Sequence, residues 1–269
     1  MPSVKKCIFC KSDSSSPVSV EHIIPESLWN TQHVLPLGVI CDSCNNYFAR
    51  EVEKPVLDYG AIRHLRFHEA IPNKRGRVPA QSALLLRGFP AIAHRYLSGP
   101  VKTVLDIPPE AFAHIMNAPK RTLILPMSGT PPDDRVISRF LGKMAIEAMA
   151  HRLFSYDGGV DYIVNEAQLD PLRRFVRRGE PKHWPHHARR IYPADRQLIE
   201  EDGKVYQTVH EFDFLVTDQN EWYFVFALFG LELVINIGGP EINGYLEWLR
   251  AKQSVSHLYH GKNAQPNAS

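Results

Sequence analysis

The pattern of apolar and polar residues separates a sparse N-terminal stretch from a regularly patterned remainder. The N-terminal stretch, residues 1–50, has only scattered apolar positions, too few for a hydrophobic core of its own. Residues 135–154 instead repeat apolar side chains at helical spacing, which predicts a helix capped by Asp133 or Asp134. Glu147 and His151 lie one turn apart in this helix. We interpret them as a surface pair, with metal ligation as the alternative.

The C-terminal half predicts a second helix and then a sheet. A basic helix begins at Asp170 with Pro171 in its first turn and ends near Gly179. Apolar runs follow at 187–193, 204–217, 221–230 and 231–239, and a last helical pattern lies at 240–253. Polar breaks between the runs are typical of hairpin turns. The predicted fold class is therefore α+β, with an antiparallel sheet in the C-terminal region.

The N-terminal stretch predicts a hairpin followed by a helix. The runs "SVEHIIP" and "VLPLGVIC" are typical of two short strands around a wide loop, since both are apolar and interrupted by proline. Phe48, Val52 and Val56 then recur every four residues, which predicts a helix that Pro55 ends or kinks.

The four cysteines form two C-x-x-C pairs, Cys7 with Cys10 and Cys41 with Cys44. Two such pairs complete the tetrahedral set of four thiolates that zinc prefers. Free buried thiols or a redox pair are the alternative. We predict one structural zinc ion per chain, which replaces a hydrophobic core in this segment, so that removing the ion unfolds it.

The order of motifs around the cysteines carries a resemblance. The sequence C-x-x-C, "EHIIP", C-x-x-C-Asn resembles the HNH endonucleases over about residues 5–58. The resemblance implies a zinc-braced ββα-metal module, in which a hairpin packs on a helix. It also implies hydrolysis of phosphodiester bonds in DNA with one catalytic divalent ion, Mg²⁺ or Mn²⁺.

The same resemblance assigns roles to individual residues. His22 is the implied general base, and Glu21 and Asn45 are the implied ligands of the catalytic ion. The chemistry suits these residue types, because a neutral imidazole can accept a proton from water near pH 7 and hard divalent ions prefer oxygen ligands. Asn46 and Glu53, seven residues apart on the predicted helix, are accessory candidates.

Two features depart from the family pattern. Neighbouring residues of a strand face opposite sides, so we predict a bulge or twist that turns Glu21 and His22 toward one ion. The middle asparagine of many family members has no counterpart in "Pro36-Leu37-Gly38". Asn30, His33 or a backbone carbonyl remain as groups that could orient His22.

Positive charge is concentrated in one stretch. The formal net charge is +2 at pH 7, yet residues 173–190 hold seven Lys or Arg against one Glu. Such a stretch can contact phosphates, and a solvated helix face with a polar loop is the alternative. The candidates for nucleic-acid contact are Arg173, Arg174, Arg177, Arg178, Lys182, Arg189 and Arg190. Trp184 and Tyr192 are predicted to be available for stacking on bases.

These patterns predict two domains and an activity. Residues 1–58 form the zinc-bound HNH nuclease module, and residues 59–269 form an α+β domain that binds substrate or regulates, with a sub-boundary near 128–134. The predicted protein is a metal-dependent HNH endonuclease acting on DNA. A setting in restriction or phage defence follows from the resemblance alone. The alternative is a non-catalytic zinc-ribbon adaptor for nucleic acid or protein.

Composition adds the expected location and partners. Hydrophobic residues make up 44% and charged residues 22%, which is ordinary for a folded soluble protein. No apolar run approaches the length of a membrane span and no signal-peptide pattern opens the sequence, so we expect no membrane association and a cytoplasmic location. One active centre cuts one strand, so a double-strand break requires a homodimer or two events.

Overall fold

The structure is a computed structural model that describes residues 6–73, 75–85, 88–97, 102–120, 122–126, 132–199 and 203–263. The chain forms two compact units. The larger unit comprises Met1–Ile23, Gln32–Glu53 and Asp133–Ser269, and the smaller unit comprises Ile24–Thr31 and Lys54–Pro132. These units cut across the predicted division at residue 58, which stays a prediction about domains. Most of the predicted sub-boundary, residues 128–131, lies outside the described residues.

The described chain contains runs of helices and runs of strands. The helices are α1 (Asp42–Phe48), α2 (Lys54–Leu57), α3 (Gly60–His68), α4 (Pro109–Asn117), α5 (Asp134–Leu153), α6 (Gly159–Asn165), α7 (Asp170–Arg178), α8 (Asn243–Ala251) and α9 (Tyr259–Lys262). The strands are β1 (Glu21–His22), β2 (Val34–Leu35), β3 (Gln81–Leu85), β4 (Pro90–Tyr96), β5 (Lys102–Asp106), β6 (Leu123–Ile124), β7 (His186–Arg190), β8 (Leu198–Ile199), β9 (Val205–Tyr206), β10 (His210–Val216), β11 (Trp222–Leu228) and β12 (Leu231–Asn236). Helices with antiparallel sheets confirm the α+β class.

The N-terminal part of the larger unit is the predicted hairpin and helix. Strands β1 and β2 pair antiparallel over two residues each. Helix α1 begins directly after Cys41, and a π-helical turn (Ala49–Glu53) follows it. The regular helix is therefore interrupted shortly before Pro55, consistent with the inability of proline to donate the helical backbone hydrogen bond.

Helix α5 is the central helix of the larger unit. The Asp133 side chain accepts a hydrogen bond from the backbone N–H of Arg135, which confirms the predicted cap. Eleven of its residues are buried, on more than one face, because the helix packs against α6, α7 and strands of the C-terminal sheet. Helix α7 also ends as predicted, at Gly179 in the left-handed conformation with φ of 69°.

The C-terminal sheet has the order β10-β11-β12-β7 and is antiparallel throughout. Strands β11 and β12 are joined by a two-residue turn in which Phe229 and Gly230 both have positive φ, 45° and 74°. This is the geometry that matches the natural twist of a hairpin. Helix α8 covers one face of the sheet, where Tyr223, Val225 and Tyr245 belong to one buried cluster.

The smaller unit contains a four-stranded sheet of order β5-β4-β3-β6, which the sequence patterns did not predict. One face packs on α3 and α4 through Phe67, Ala83 and Ala111. No helix among the described residues is long and apolar enough to cross a membrane.

Candidate functional site

The four cysteines come together in the larger unit. Their sulfur atoms all lie within 4.8 Å of one another, and Cys10 Sγ is 3.5 Å from Cys41 Sγ. Tetrahedral zinc with sulfur ligands at about 2.3 Å sets the sulfur atoms about 3.8 Å apart. The cluster therefore has the ligand type and spacing of a four-cysteine zinc site. Among the described residues it is the only group of His, Cys, Asp or Glu side chains close enough to hold a metal in this way.

The protonation of these thiols shows why a cation suits them. A hydrogen bond from Cys44 lowers the pKa of Cys7 to about 5. The hydrogen bond to Cys7 raises the pKa of Cys44, and burial raises the pKa of Cys41 to about 11. Without a cation the cluster thus favours one thiolate and opposes further ionisation. A dication would let all four sulfurs ionise.

The second cysteine pair also anchors the residues that precede β1. Asp42, inside the pair, accepts hydrogen bonds from the backbone N–H groups of Val18, at 3.1 Å, and Ser19, at 2.9 Å. Asn45, directly after the pair, donates its amide N–H to the carbonyl oxygen of Val20 at 3.3 Å. The start of α1 therefore lies against the strand that carries Glu21 and His22. Asn45 is inside α1 and does not cap it, since Cys41 is the N-cap.

Glu21 lies in a buried charge cluster. The ammonium of Lys143 in α5 is 2.6 Å from Glu21 Oε1, 2.8 Å from Glu53 Oε1 and 2.9 Å from Glu147 Oε2. The side chains of Lys143 and Glu147 are fully buried, and those of Glu21 and Glu53 are 8% and 14% exposed. We call these four residues the Lys143 cluster. All of them belong to the larger unit.

The electrostatics of the cluster keep the lysine charged. Burial alone lowers the pKa of Lys143, but the surrounding carboxylates of Glu147, Glu21 and Glu53 outweigh burial and raise it well above its usual value. Burial raises the pKa of Glu147 well above its usual value. The lysine therefore stays protonated at neutral pH, and burial favours the protonated form of Glu147.

The hairpin shows no bulge at the predicted acid–histidine pair. Glu21 lies opposite Leu35 and His22 opposite Val34, in consecutive register. Glu21 and Leu35 are buried, whereas His22 and Val34 are half-buried. Regular alternation therefore sends Glu21 toward Lys143 and His22 to the opposite face, and the expected bulge is wrong for the described strands.

The structure describes contacts of both side chains proposed to orient His22, and their role in orienting it stays a prediction. Asn30 is fully buried and donates its side-chain N–H to the carbonyl oxygen of Ile24 at 2.7 Å. The His33 ring lies 6.0 Å from the rings of His151 and His210, centre to centre. Burial, together with the nearby His151, lowers the pKa of His33.

The accessory candidates differ in their surroundings. Asn46 is exposed on α1. Glu53 points into the Lys143 cluster. The catalytic and accessory roles of Glu21, His22, Asn45, Asn46 and Glu53 stay predictions.

The basic stretch divides into residues that stabilise the fold and residues that face solvent. Arg173 is 3% exposed and donates to the carbonyl oxygen of Ile8 at 2.7 Å. Arg189 pairs with the buried Glu232, and Arg190 donates to the carbonyl oxygen of Phe229. The exposed or half-exposed members without such contacts among the described residues are Arg174, Arg177, Arg178 and Lys182.

The predicted base-stacking residues are wrong. Trp184 is 2% exposed and Tyr192 is 7% exposed, so neither ring is open to a base. Trp184 stacks on Phe175 with ring centres 5.2 Å apart and donates its indole N–H to the carbonyl oxygen of Asn236. These aromatic side chains belong to the core of the larger unit. A stretch rich in basic residues can thus also contribute aromatic side chains to a core.

The interpretation of Glu147 and His151 as a surface pair is also wrong, because Glu147 is fully buried. Sequence reasoning did not assign a role to Lys143. A signal was present: Lys143 and Glu147 interrupt the apolar stripe of α5, three residues after Phe140 and Met144 respectively. Charged residues one turn apart within an apolar stripe predict a buried pair.

Comparison with known proteins gives one match. A family model described as HNH endonuclease matches residues 7–58. That segment contains the four cysteines, Glu21, His22 and Asn45. No curated protein and no solved structure matches the chain. The match confirms the resemblance over this segment and indicates nuclease activity in general terms.

Proposed function

We propose that this protein is a metal-dependent HNH endonuclease that hydrolyses phosphodiester bonds in DNA. The observation that carries the proposal is the anchoring of residues 18–20 by Asp42 and Asn45. Through these bonds the cysteine cluster, the start of α1 and the strand with His22 form one local structure. The family match over residues 7–58 supports the same reading.

In this proposal His22 is the general base. Its imidazole accepts a proton from water, the resulting hydroxide attacks phosphorus, and the bond from phosphorus to the 3′-oxygen breaks. The 3′-oxygen leaves and takes up a proton, which gives 5′-phosphate and 3′-hydroxyl ends. One zinc ion at Cys7, Cys10, Cys41 and Cys44 has a structural role and holds α1 against β1.

The implied ligands of the catalytic ion fit only in part. An amide oxygen such as that of Asn45 suits Mg²⁺ or Mn²⁺. Glu21 does not fit, because its carboxylate is nearly buried and already has the Lys143 ammonium at 2.6 Å. Dependence on Mg²⁺ or Mn²⁺ therefore stays a prediction.

DNA contact is proposed for the solvent-facing part of the basic stretch, Arg174, Arg177, Arg178 and Lys182. Phosphate contacts by such residues position a duplex without reading its sequence. Three further parts of the proposal rest on the sequence alone. They are a role in restriction or phage defence, a homodimer for double-strand breaks and a cytoplasmic location.

One observation favours the alternative of a non-catalytic zinc-ribbon adaptor. The implied metal ligand Glu21 is held in the Lys143 cluster, as a residue of purely structural value would be. An adaptor would bind nucleic acid or protein without cleaving DNA.

Plasmid cleavage separates the two functions. Supercoiled DNA is incubated with the zinc-loaded protein and Mg²⁺ or Mn²⁺, and the wild type is compared with His22→Ala. We expect nicking by the wild type, loss of nicking in the variant, and ligatable 5′-phosphate ends. Binding of DNA without cleavage by either protein would instead support the adaptor.

A further inference from the structure

We propose that Lys143 is a positioning residue of the nuclease site and that its ammonium is the permanent counter-ion of Glu21. The ion pair orients the strand that carries His22. Glu21 therefore does not bind the catalytic divalent ion. The inference rests on the proposed function and deepens it. It assigns a role to a residue outside the family-matched segment, 7–58.

The hydrogen-bond inventory of Lys143 supports this assignment. An ammonium group has three N–H donors, and Lys143 has three carboxylate partners at 2.6–2.9 Å. The lysine side chain has no exposed surface, so it cannot exchange these partners for water. Two of its donors form hydrogen bonds to Glu21 and Glu147, and Glu53 is a third ion-pair partner.

A second cation at Glu21 would face this ammonium. A divalent ion binds a carboxylate oxygen at about 2.0–2.6 Å, which would place it close to Lys143. Two cations on one nearly buried carboxylate repel each other with little screening from water. The lysine thus already supplies the charge that an ion would bring to Glu21.

The register of the hairpin explains how Lys143 acts on His22. Glu21 and His22 are neighbours in a regular strand, so fixing one side chain on its face fixes the direction of the other. Asp42 and Asn45 hold the residues just before β1 from the α1 side. Lys143 holds β1 itself from the α5 side. Strand β1 has only two residues, so these contacts add substantially to its pairing with β2 in fixing its placement.

The test compares Glu21→Gln with Glu147→Gln. Both replace one carboxyl partner of Lys143 by an amide, but only Glu21 lies on β1, so Glu147→Gln is the matched control. Single-turnover plasmid cleavage is measured across Mn²⁺ concentrations at saturating DNA. We expect Glu21→Gln to lower the maximal rate about 10- to 100-fold, the cost of misplacing a catalytic group, with the half-saturating Mn²⁺ concentration within about twofold of wild type.

Two further results are expected if Lys143 acts by position. Lys143→Arg, which keeps a buried cation, should retain more cleavage than Lys143→Met. The pH profile of the maximal rate should change in Glu21→Gln and stay unchanged in Glu147→Gln, since only the former displaces His22. A purely structural role for the cluster would lower stability in both variants and leave both pH profiles as in the wild type, which would overturn the proposal.

Failure of the inference is distinguishable from failure of the proposed function. If Glu21 is a metal ligand, Glu21→Gln raises the half-saturating Mn²⁺ concentration at least about tenfold and excess Mn²⁺ restores the rate, which overturns the inference alone. If no variant cleaves DNA, the Mn²⁺ affinities of wild type and Glu21→Gln, measured by calorimetry, still test whether Glu21 binds the ion. Weaker Mn²⁺ binding in Glu21→Gln than in wild type would contradict Lys143 as the resident cation. Equal binding, or none in either protein, would support it.

Discussion

The larger unit contains two clusters of ionisable side chains, the cysteine cluster and the Lys143 cluster, which differ in the source of the positive charge that balances them. In the cysteine cluster four ligand sulfurs lie within 4.8 Å of one another, and Arg173 interacts electrostatically with Cys7 without a hydrogen bond to its sulfur. In the Lys143 cluster three carboxylates meet, and α5 supplies the ammonium at 2.6–2.9 Å. Side chains that could bind a metal therefore imply a metal only where the chain does not bring its own cation.

This difference predicts opposite responses to metal removal. The cysteine cluster should lose its fold with its ion, whereas the Lys143 cluster should be indifferent to chelators.

Zinc removal should have the largest effect, because structural zinc contributes about 10–16 kcal/mol of apparent binding free energy to small folded segments. We expect Cys41→Ser or a strong chelator to abolish the unfolding transition of the larger unit that occurs at the highest temperature. Circular dichroism follows the transition, and metal analysis measures the zinc content. Ser43→Ala, an exposed residue between the same two cysteines, is the matched control and should unfold like the wild type. Zinc-free protein with an unchanged transition would contradict the assignment.

Replacing the lysine should have the next largest effect on stability. Lys143→Met leaves buried carboxylates without their cation, which should cost about 3–5 kcal/mol of unfolding free energy. Urea denaturation measures the loss, and chelators should not change it. Lys252→Met, at an exposed position, is the control and should stay within about 0.5 kcal/mol of wild type. A loss below about 1 kcal/mol for Lys143→Met would mean that the cluster is not a buried network.

Charge reversal on α7 should weaken DNA binding without affecting either cluster. We expect Arg177→Glu with Arg178→Glu to lower affinity and to reduce the slope of log K against log[salt] by about one for each lost phosphate contact. Fluorescence anisotropy across salt concentrations provides the measurement. The paired reversal Arg250→Glu with Lys252→Glu changes the charge equally on exposed residues elsewhere. Equal losses in both double variants would indicate that only net charge matters.

The smallest expected effect is the acid sensitivity of His33. Burial lowers its pKa in the folded protein from the ordinary value of 6.5, so below that pH the unfolded chain binds more protons. Its contribution to stability is therefore complete above about pH 6.5 and is lost as the pH falls through the folded-state pKa. We expect His33→Gln to flatten the decline in unfolding free energy between neutral and acid pH. His183→Gln, at an exposed position, should leave the slope unchanged, and identical slopes in all three proteins would exclude this role.

Local signals predicted the parts of the fold and site that depend on neighbouring residues. The cysteine pairs, the cap at Asp133 and the left-handed end at Gly179 each follow from a short stretch of sequence. The Lys143 cluster joins β1, the π-helical turn and α5, and Lys143 stands 122 positions from Glu21, so no local pattern could place them together. Trp184 was misjudged for the same reason, since its partner Asn236 is 52 positions away.

The rate of plasmid nicking at saturating Mn²⁺, compared between wild type and His22→Ala, tests whether His22 is the general base of a nuclease. Both proteins are first shown to hold zinc and to unfold alike. We expect a loss of at least about 100-fold in the variant, as for removal of a general base. Equal nicking by the two proteins, or none by either with Mg²⁺ or Mn²⁺, would contradict it.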